Sequence, residues 1–585
     1  MLSDKTRHIL NRIADILAYP VRTNLWFFLF ALVVNEVLII VSTIYDCGHD
    51  IFLSNLFMVL DCYLICVLAA LLKKVYLFWL PELLYGALLL GEIFCVLIYH
   101  AEYSIRVLGL VLHTTSKAEF VGNSLLSWQP WTTFALVGLS AWLAVILMRR
   151  LRNSQPLTRS IWTWVLVVLV FWSATRQVPQ YVKMGRCWQA DTAAHLGDSR
   201  HRPDFYTSSM RFLYGLVFNV ATSRELVMLV DTVRQTTVDS CSFRCPHIVL
   251  IIGESYNKHH TPLYNPEALP VSPCLSRLRD DGYLFLHQDA ITSANLTSTV
   301  MQNMLTTWDD QMDDFYTAHS LFPAVFRQAG YEVYYISNQY VTKQVEEGSL
   351  WEQIGGTLFN NPELSRLQYS YRNAETYPDD GTLVDILPSQ DSLTGRPALT
   401  IVHLRGQHVQ YEYRYPEQYE RFTEDDVNTP YGGKRGKKVT AQYANATLYN
   451  DTIVARIWNR FKDEDAIAIY LSDHGEEVYD WRNFFERSDV DEMNPNIARY
   501  QFEIPMMFIL SDSCMAKHPD VVQQVQGCLN KPFINSDICH LLFGLAGIQS
   551  KEYKPSFDLL SEQYDVHRPR LIGTGVDYDE LMKNN

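Results

Sequence analysis

The chain has 585 residues, enough for two or more domains, with 48% hydrophobic and 19% charged residues. A net charge of -15 excludes the broad basic face of a typical nucleic-acid binder. A mean hydropathy near zero averages two unlike halves: apolar runs dominate the first 176 residues, and the remainder has the composition of a soluble domain.

Five apolar stretches, 24–44, 51–72, 75–99, 130–148 and 160–176, approach or reach the roughly 20 residues that a bilayer-crossing helix needs. Their ends carry Trp26, Tyr76, Trp79, Trp128, Trp131, Trp162, Trp164 and Trp172, the aromatic belt of a membrane interface. The first stretch is too long for a signal-peptide core, lacks a small-x-small cleavage site and is followed by four more. Lys5, Arg7, Arg12 and Arg22 precede the first stretch, Lys73 and Lys74 separate the second from the third, and Arg149, Arg150, Arg152 and Arg159 separate the fourth from the fifth. The intervening loops hold only Arg106 and Lys117. The positive-inside rule places the N-terminus in the cytoplasm, and five crossings put everything after about residue 177 on the far side. Glu36, Asp61, Glu82 and Glu92 fall within the spans; carboxylates there are either functional or paired inside the bundle. Residues 177–245 read as a linker. Its stretch from Ser208 to Val233 mixes apolar residues with Arg211, Arg224, Glu225 and Asp231, as in a helix along the membrane surface or one packed on the soluble domain.

From Pro246 the pattern changes to short apolar strands separated by helical stretches, which predicts an α/β domain over 246–585 with a central, largely parallel sheet. The predicted strands are 247–252, 331–337, 398–404, 466–472 and 504–510. In such sheets ligands collect at the carboxyl ends of the strands. Past those ends stand Gly253-Glu254-Ser255, Arg405-Gly406-Gln407-His408 and Asp473-His474-Gly475. Neighbouring Asp and His side chains reach one ion only where the chain leaves the sheet, and Gly475 permits that turn. Carboxylate and imidazole donors suit Zn²⁺, so Glu254, Asp473 and His474 are candidate ligands, with a hydroxyl in the fourth position. Thr297 opens a helical pattern (Val300, Met301, Met304, Leu305) where free N–H groups favour a phosphate. It also reads as a helix cap, and Asn295-Leu296-Thr297 reads as a glycosylation sequon. Seven of the eleven cysteines follow the last apolar run and are candidates for disulfides if that half is extracytoplasmic.

The five-span start, "IVLIIGES", the Thr-bearing helix start, "HLRGQH" with "YRYPEQYERF", and "YLSDHGEE" together resemble the phosphoethanolamine transferases of Gram-negative bacteria, within the sulfatase and alkaline-phosphatase superfamily. The resemblance covers essentially the whole chain. It implies a five-helix transmembrane bundle, residues 1–176, followed by a periplasmic sulfatase-like catalytic domain. It implies Thr297 as nucleophile and metal ligand, with Thr299 in reserve, and Glu254, Asp473 and His474 as zinc ligands. His408 would face the substrate phosphate or a second metal, and His403 would be structural. Asn338 and Lys343 resemble a pair near the active site. Thr115 and Glu119 resemble a T-x-x-x-E pair near the ethanolamine head group. The implied donor is phosphatidylethanolamine, and the acceptor lipid A, core sugar or periplasmic glucan. The sequence departs from the family in lacking a His shortly after Asp473-His474-Gly475-Glu476, which leaves a second metal to His408, His259 or His260, and in carrying Val111 where the family has Asn. Alternatives are a glycerol-phosphate transferase of the lipoteichoic acid synthase type and an inactive sensor or scaffold. A sulfatase is disfavoured, because no C/S-x-P-x-R setting surrounds Thr297.

Overall fold

The computed structural model describes residues 4–44, 51–99, 103, 128–153, 161–187, 207–309, 311–312, 316–339, 361–388, 395–488, 493–573 and 575–583. The chain divides into two compact units, with a boundary between Glu225 and Leu226.

The first unit is helical: α1 (Asp4–Thr23), α2 (Leu25–Ile44), α3 (Ile51–Leu72), α4 (Trp79–Tyr99), α5 (Trp128–Asn153), α6 (Ile161–Cys187) and the start of α7 (Ser208–Arg234). Among the described residues, four helices are long and apolar enough to cross a membrane: Leu25–Ile44, Ser54–Leu72, Trp79–Leu97 and Pro130–Arg150. They coincide with the first four predicted spans. The fifth predicted span opens α6, whose apolar run gives way to Arg176, Gln177 and Gln180. α6 is nonetheless built into the bundle: Ser173 donates to the Leu56 carbonyl, and Gln177 Nε2 (2.6 Å) and the Tyr181 hydroxyl (3.0 Å) donate to Asp61 Oδ1. Glu92 accepts from Arg211 Nε at 2.6 Å and from the Tyr103 N–H at 3.0 Å. Asp61 and Glu92 are thus paired inside the helical unit, as buried polar groups in an apolar surround must be.

The second unit is built on a seven-stranded sheet. Its elements, in chain order, are β1 (His247–Gly253), α8 (Pro273–Asp280), β2 (Leu284–His287), α9 (Thr297–Leu305), β3 (Glu332–Ser337), β4 (Tyr371–Arg372), β5 (Ala398–His403), α10 (Gly433–Trp458), β6 (Ala466–Ser472), the small hairpin β7 (Glu477–Val478) and β8 (Phe485–Glu486), and β9 (Met506–Leu510). The sheet order is β2-β9-β6-β1-β5-β3-β4. The run β6-β1-β5-β3-β4 is parallel, whereas β9 is antiparallel to both its neighbours. All five predicted strands are present. The apolar pattern of β9 states its burial but carries no information on its direction. The last turns of α7 belong here: Leu226, Leu229, Val230 and Val233 are buried in the core beneath one face of the sheet. A second core, including Val249, Ile251, Ile453, Val454 and Ile457, covers the other face. With both faces covered, the central strands are mostly apolar, and every residue of β1, β5 and β6 is buried, including the polar His247, Thr400, His403 and Ser472.

Register fixes the site. Gly253 of β1 pairs with Ser472 of β6, and Ile252 pairs with His403 of β5. Glu254 and Asp473 therefore leave the sheet side by side.

Candidate metal centre and nucleophile

Glu254, Asp473 and His474 are fully buried, and one ligand atom from each lies within 4.8 Å of the others. His474 Nε2 is 3.1 Å from Asp473 Oδ2 and 3.4 Å from Glu254 Oε1. The turn that brings Asp473 and His474 together requires Gly475, because a Cβ there would stand 2.4 Å from the Tyr500 carbonyl oxygen. His474 Nδ1 lies 2.8 Å from the Gly475 carbonyl. Only an N–H can make that bond, so the lone pair is on Nε2, facing the two carboxylates.

Thr297 is the first residue of α9, and Leu296 occupies the cap position. The Thr297 side chain caps nothing. Its hydroxyl donates to Glu254 Oε2 at 3.1 Å and lies 3.2 Å from His474 Nε2. The sequon reading fails for Asn295, which is buried and gives its amide hydrogens to the Ser488 carbonyl and Gln501 Oε1. The loop before α9 is tied to the metal-ligand turn by Asn535: its Oδ1 accepts from the Ser293 N–H, and its Nδ2 donates to Thr292 Oγ1 and to the Asp473 carbonyl.

Electrostatics favour a cation at this point. Burial pushes the Asp473 carboxyl up, and the neighbouring Glu254 adds to the rise. Burial acts the same way on Glu254, but His474, His408 and Arg487 more than reverse it and hold that carboxyl below its ordinary range. Burial, followed by Arg487, lowers His474 to about 3. A neutral imidazole beside two close carboxylates is a ligand set for a divalent ion. Asp473 Oδ2 is buried without a hydrogen-bond partner, as expected of an oxygen reserved for a metal. Carboxylate and imidazole together fit Zn²⁺.

His408 lies half-buried past β5, with Nδ1 3.4 Å from the Val409 carbonyl. Burial lowers it to about 4, against the pull of Glu254. His403 is buried, with Nδ1 3.3 Å from the Tyr335 hydroxyl, a structural place. Asn338 is a brace: its amide donates to Asp380 Oδ1, its Oδ1 accepts from the Tyr377 N–H, and Asp380 in turn accepts from the N–H groups of Arg405 and Gly406. It shapes the loop that carries His408 without reaching the ligand cluster. Lys343, Thr115 and Glu119 lie outside the described residues. His259 Nε2 faces Glu503 at 3.1 Å and His260 Nε2 faces Asp480 at 2.7 Å, so both are engaged away from the triad. The six described cysteines after residue 187, Cys241, Cys245, Cys274, Cys514, Cys528 and Cys539, are free thiols.

Gln339 and Arg487 touch the site with no sequence signal, and Ser255, seen in the sequence only as part of the strand-end motif, links Arg487 to the ligands. Gln339 Nε2 donates to Glu254 Oε2 at 2.6 Å and to the Leu404 carbonyl. The Ser255 hydroxyl donates to Glu254 Oε1 at 2.6 Å, and its N–H donates to Asp473 Oδ1. Arg487 Nη1 donates to Ser255 Oγ and Glu476 Oε2. Ser255, Gln410 and Glu486 hold φ of 57°, 65° and 81°, left-handed conformations that non-glycine residues adopt at a cost and that cluster at functional sites.

A sulfatase family model matches residues 246–548, more than half of the chain. The phosphoethanolamine transferase EptC of Escherichia coli is 28% identical over 348 residues, 57% of this chain and 57% of that one. The phosphoethanolamine transferase CptA of Salmonella typhimurium is 27% identical over 347 residues, with the same coverage. The chain thus spans somewhat over half the length of these curated relatives. Among solved structures, the integral membrane lipooligosaccharide phosphoethanolamine transferase A of Neisseria meningitidis has a TM-score of 0.53 at 16% identity, covering 92% of this chain and 98% of that one. That likeness is one of fold, and it includes the membrane helices. By the family model, and with the ligand cluster lying at the strand tips of the matched region, this chain belongs to the sulfatase family.

Proposed function

We propose that this protein transfers phosphoethanolamine from phosphatidylethanolamine to a cell-envelope glycolipid or glycan, with Thr297 as the nucleophile. The observation that carries this reading is the Thr297 hydroxyl, 3.1 Å from Glu254 Oε2 and 3.2 Å from His474 Nε2, at the start of a helix. The relatives named phosphoethanolamine transferase EptC and CptA support the substrate class. A relative named Kdo(2)-lipid A phosphoethanolamine 7''-transferase supports a lipid A or core acceptor.

Glu254, Asp473 and His474 would hold the zinc ion, which when bound favours the alkoxide form of the Thr297 hydroxyl and neutralises phosphoryl charge. In the first half-reaction a bond forms between Thr297 Oγ and phosphorus. The bond from phosphorus to the glyceryl oxygen breaks, and diacylglycerol leaves with a proton. In the second, an acceptor oxygen attacks phosphorus, loses its proton and releases Thr297. Free N–H groups of the first turn of α9 favour the phosphoryl group at Thr297, and His408 and Lys343 contribute at its margin. The resemblance makes Thr115 and Glu119 candidates for binding the ethanolamine ammonium. The helical unit holds the enzyme in the bacterial inner membrane, beside the donor lipid, with the soluble unit in the periplasm.

The test is release of labelled diacylglycerol from fluorescent phosphatidylethanolamine by the purified full chain in detergent. Turnover by the wild type and none by Thr297→Ala supports the reading. Normal release by Thr297→Ala removes Thr297 from its role, and consumption of phosphatidylglycerol instead identifies a glycerol-phosphate transferase.

A further inference from the structure

Arg487 is joined to the site by a single hydroxyl. Its Nη1 lies 2.9 Å from Ser255 Oγ, and that same hydroxyl donates to Glu254 Oε1 at 2.6 Å. The other contact of Nη1 is Glu476 Oε2, across the hairpin of β7 and β8. Charge places it in the same neighbourhood, since Arg487 acts on Glu254, Asp473, His474 and His408 alike.

Other described cations on the neighbouring loops have protein partners of their own. Lys258 Nζ donates to the Gln288 carbonyl, Arg405 to the Asn338 carbonyl, and Arg414 to the carbonyls of His408 and Val409. The guanidinium of Arg487 is only partly used. Its side chain is 12% exposed, and its Nε is buried without a hydrogen-bond partner. Among the described residues, Nη1 takes both of the hydrogen bonds that Arg487 makes to protein. That leaves the Nε–Nη2 edge, the pair of parallel N–H groups that matches two oxygens of a phosphate or carboxylate. A buried N–H without an acceptor is costly to keep. Here it is kept behind Glu486, whose φ of 81° turns the chain just before Arg487.

We infer that Arg487 grips the phosphoryl group, with its Nε–Nη2 edge bonding two non-bridging oxygens, and is the second cationic element of a one-metal site. This rests on the reading of the site as a phosphoryl-transfer centre. Glu476 and Ser255 are positioning residues, because they fix the guanidinium through Nη1.

The experiment is calorimetric titration of inorganic phosphate into the full chain in detergent, both zinc-loaded and chelator-stripped. Wild type, Arg487→Ala and Arg487→Lys are compared, with zinc content and thermal unfolding measured on each. Both variants are expected to keep wild-type zinc content and to lose phosphate affinity by about tenfold or more, as two charge-assisted hydrogen bonds imply. Lysine does not restore binding, because an ammonium lacks the planar fork. Phosphate affinity within twofold of wild type in either folded variant overturns the inference. So does zinc loss that matches the loss of phosphate, which would make Arg487 only a support for Glu254. If Arg487→Ala does not fold, Arg487→Lys carries the test alone. Wild type that turns over phosphatidylethanolamine while the variants bind phosphate normally defeats this inference alone. Wild type with no turnover defeats the reading of the function.

Discussion

The Thr297 hydroxyl lies 3.2 Å from His474 Nε2, although 177 positions separate the two residues in the chain. A helix start and a strand tip meet there because Asn535 ties the loop before Thr297 to the Asp473 carbonyl. The proposed chemistry depends on that tie, on the tautomer fixed by the Gly475 carbonyl, and on the paired carboxylates.

The carboxylates make a stability prediction of unusual sign. Glu254 and Asp473 are buried neighbours of like charge, and a cation relieves their repulsion. Chelation should therefore lower the thermal midpoint of the wild type. Asp473→Asn should bind little zinc, yet unfold at a higher temperature than stripped wild type. Elemental analysis and thermal unfolding in chelator check both statements. An Asp473→Asn protein less stable than the stripped wild type would contradict them.

Gly406 should tolerate no side chain. Its φ is 46°, and a Cβ there would stand 2.9 Å from the Glu254 carbonyl oxygen and 3.0 Å from its nitrogen. Gly406→Ala must displace either Glu254 or the loop bearing His408. We expect turnover to fall by roughly tenfold or more, since small misplacements of reacting groups are expensive, with a smaller loss of stability. Turnover and thermal midpoint measured on the same preparation separate the two effects.

A distant carboxylate caps a helix. Asp451 of α10 accepts from the N–H groups of Leu275 and Cys274, both at 2.9 Å, at the start of α8. Asp451→Asn keeps one acceptor oxygen and turns an amide toward the other N–H. The expected loss is about 1–3 kcal/mol, the cost of a buried donor left unpaired, read from denaturant unfolding, with zinc content unchanged.

Two buried histidines set an acid limit to stability. Burial, aided by Lys258 and Arg570, lowers His287 to about 3, and burial with Lys554 and Arg568 lowers His540 to about 3. Between those values and the ordinary 6.5, the unfolded chain binds protons that the folded chain refuses. Stability from these groups is therefore complete above pH 6.5 and is lost as pH falls toward 3. Between pH 6.5 and 5 each should cost roughly 2 kcal/mol. Unfolding midpoints against pH, for wild type and for His287→Leu with His540→Gln, measure this; an unchanged slope in the double variant would rule these histidines out as its source.

The candidate ligands were legible in the sequence because each stands within two residues of the end of an apolar strand: Glu254 after 247–253, and Asp473 and His474 after 466–472. Alternating strand geometry and one glycine were enough to predict that they converge. Thr297 was legible as a helix start, but its partners were not. Gln339, Asn535 and Arg487 were missed because side-chain hydrogen bonds across 85, 62 and 232 positions leave no local periodicity. The resemblance points to Asn338, yet Asn338 braces Asp380 and it is its neighbour Gln339 that touches Glu254. The antiparallel run of β9 was also hidden, since a strand buried on both faces looks the same in either direction.

The most direct test is to quench the full chain during turnover of phosphatidylethanolamine labelled in its head group, digest it, and locate the label by mass spectrometry. A phosphoethanolamine group is expected on the peptide containing Thr297, absent from Thr297→Ala and discharged when an acceptor glycolipid is added. Diacylglycerol release without label on that peptide, or label on another residue, would contradict it.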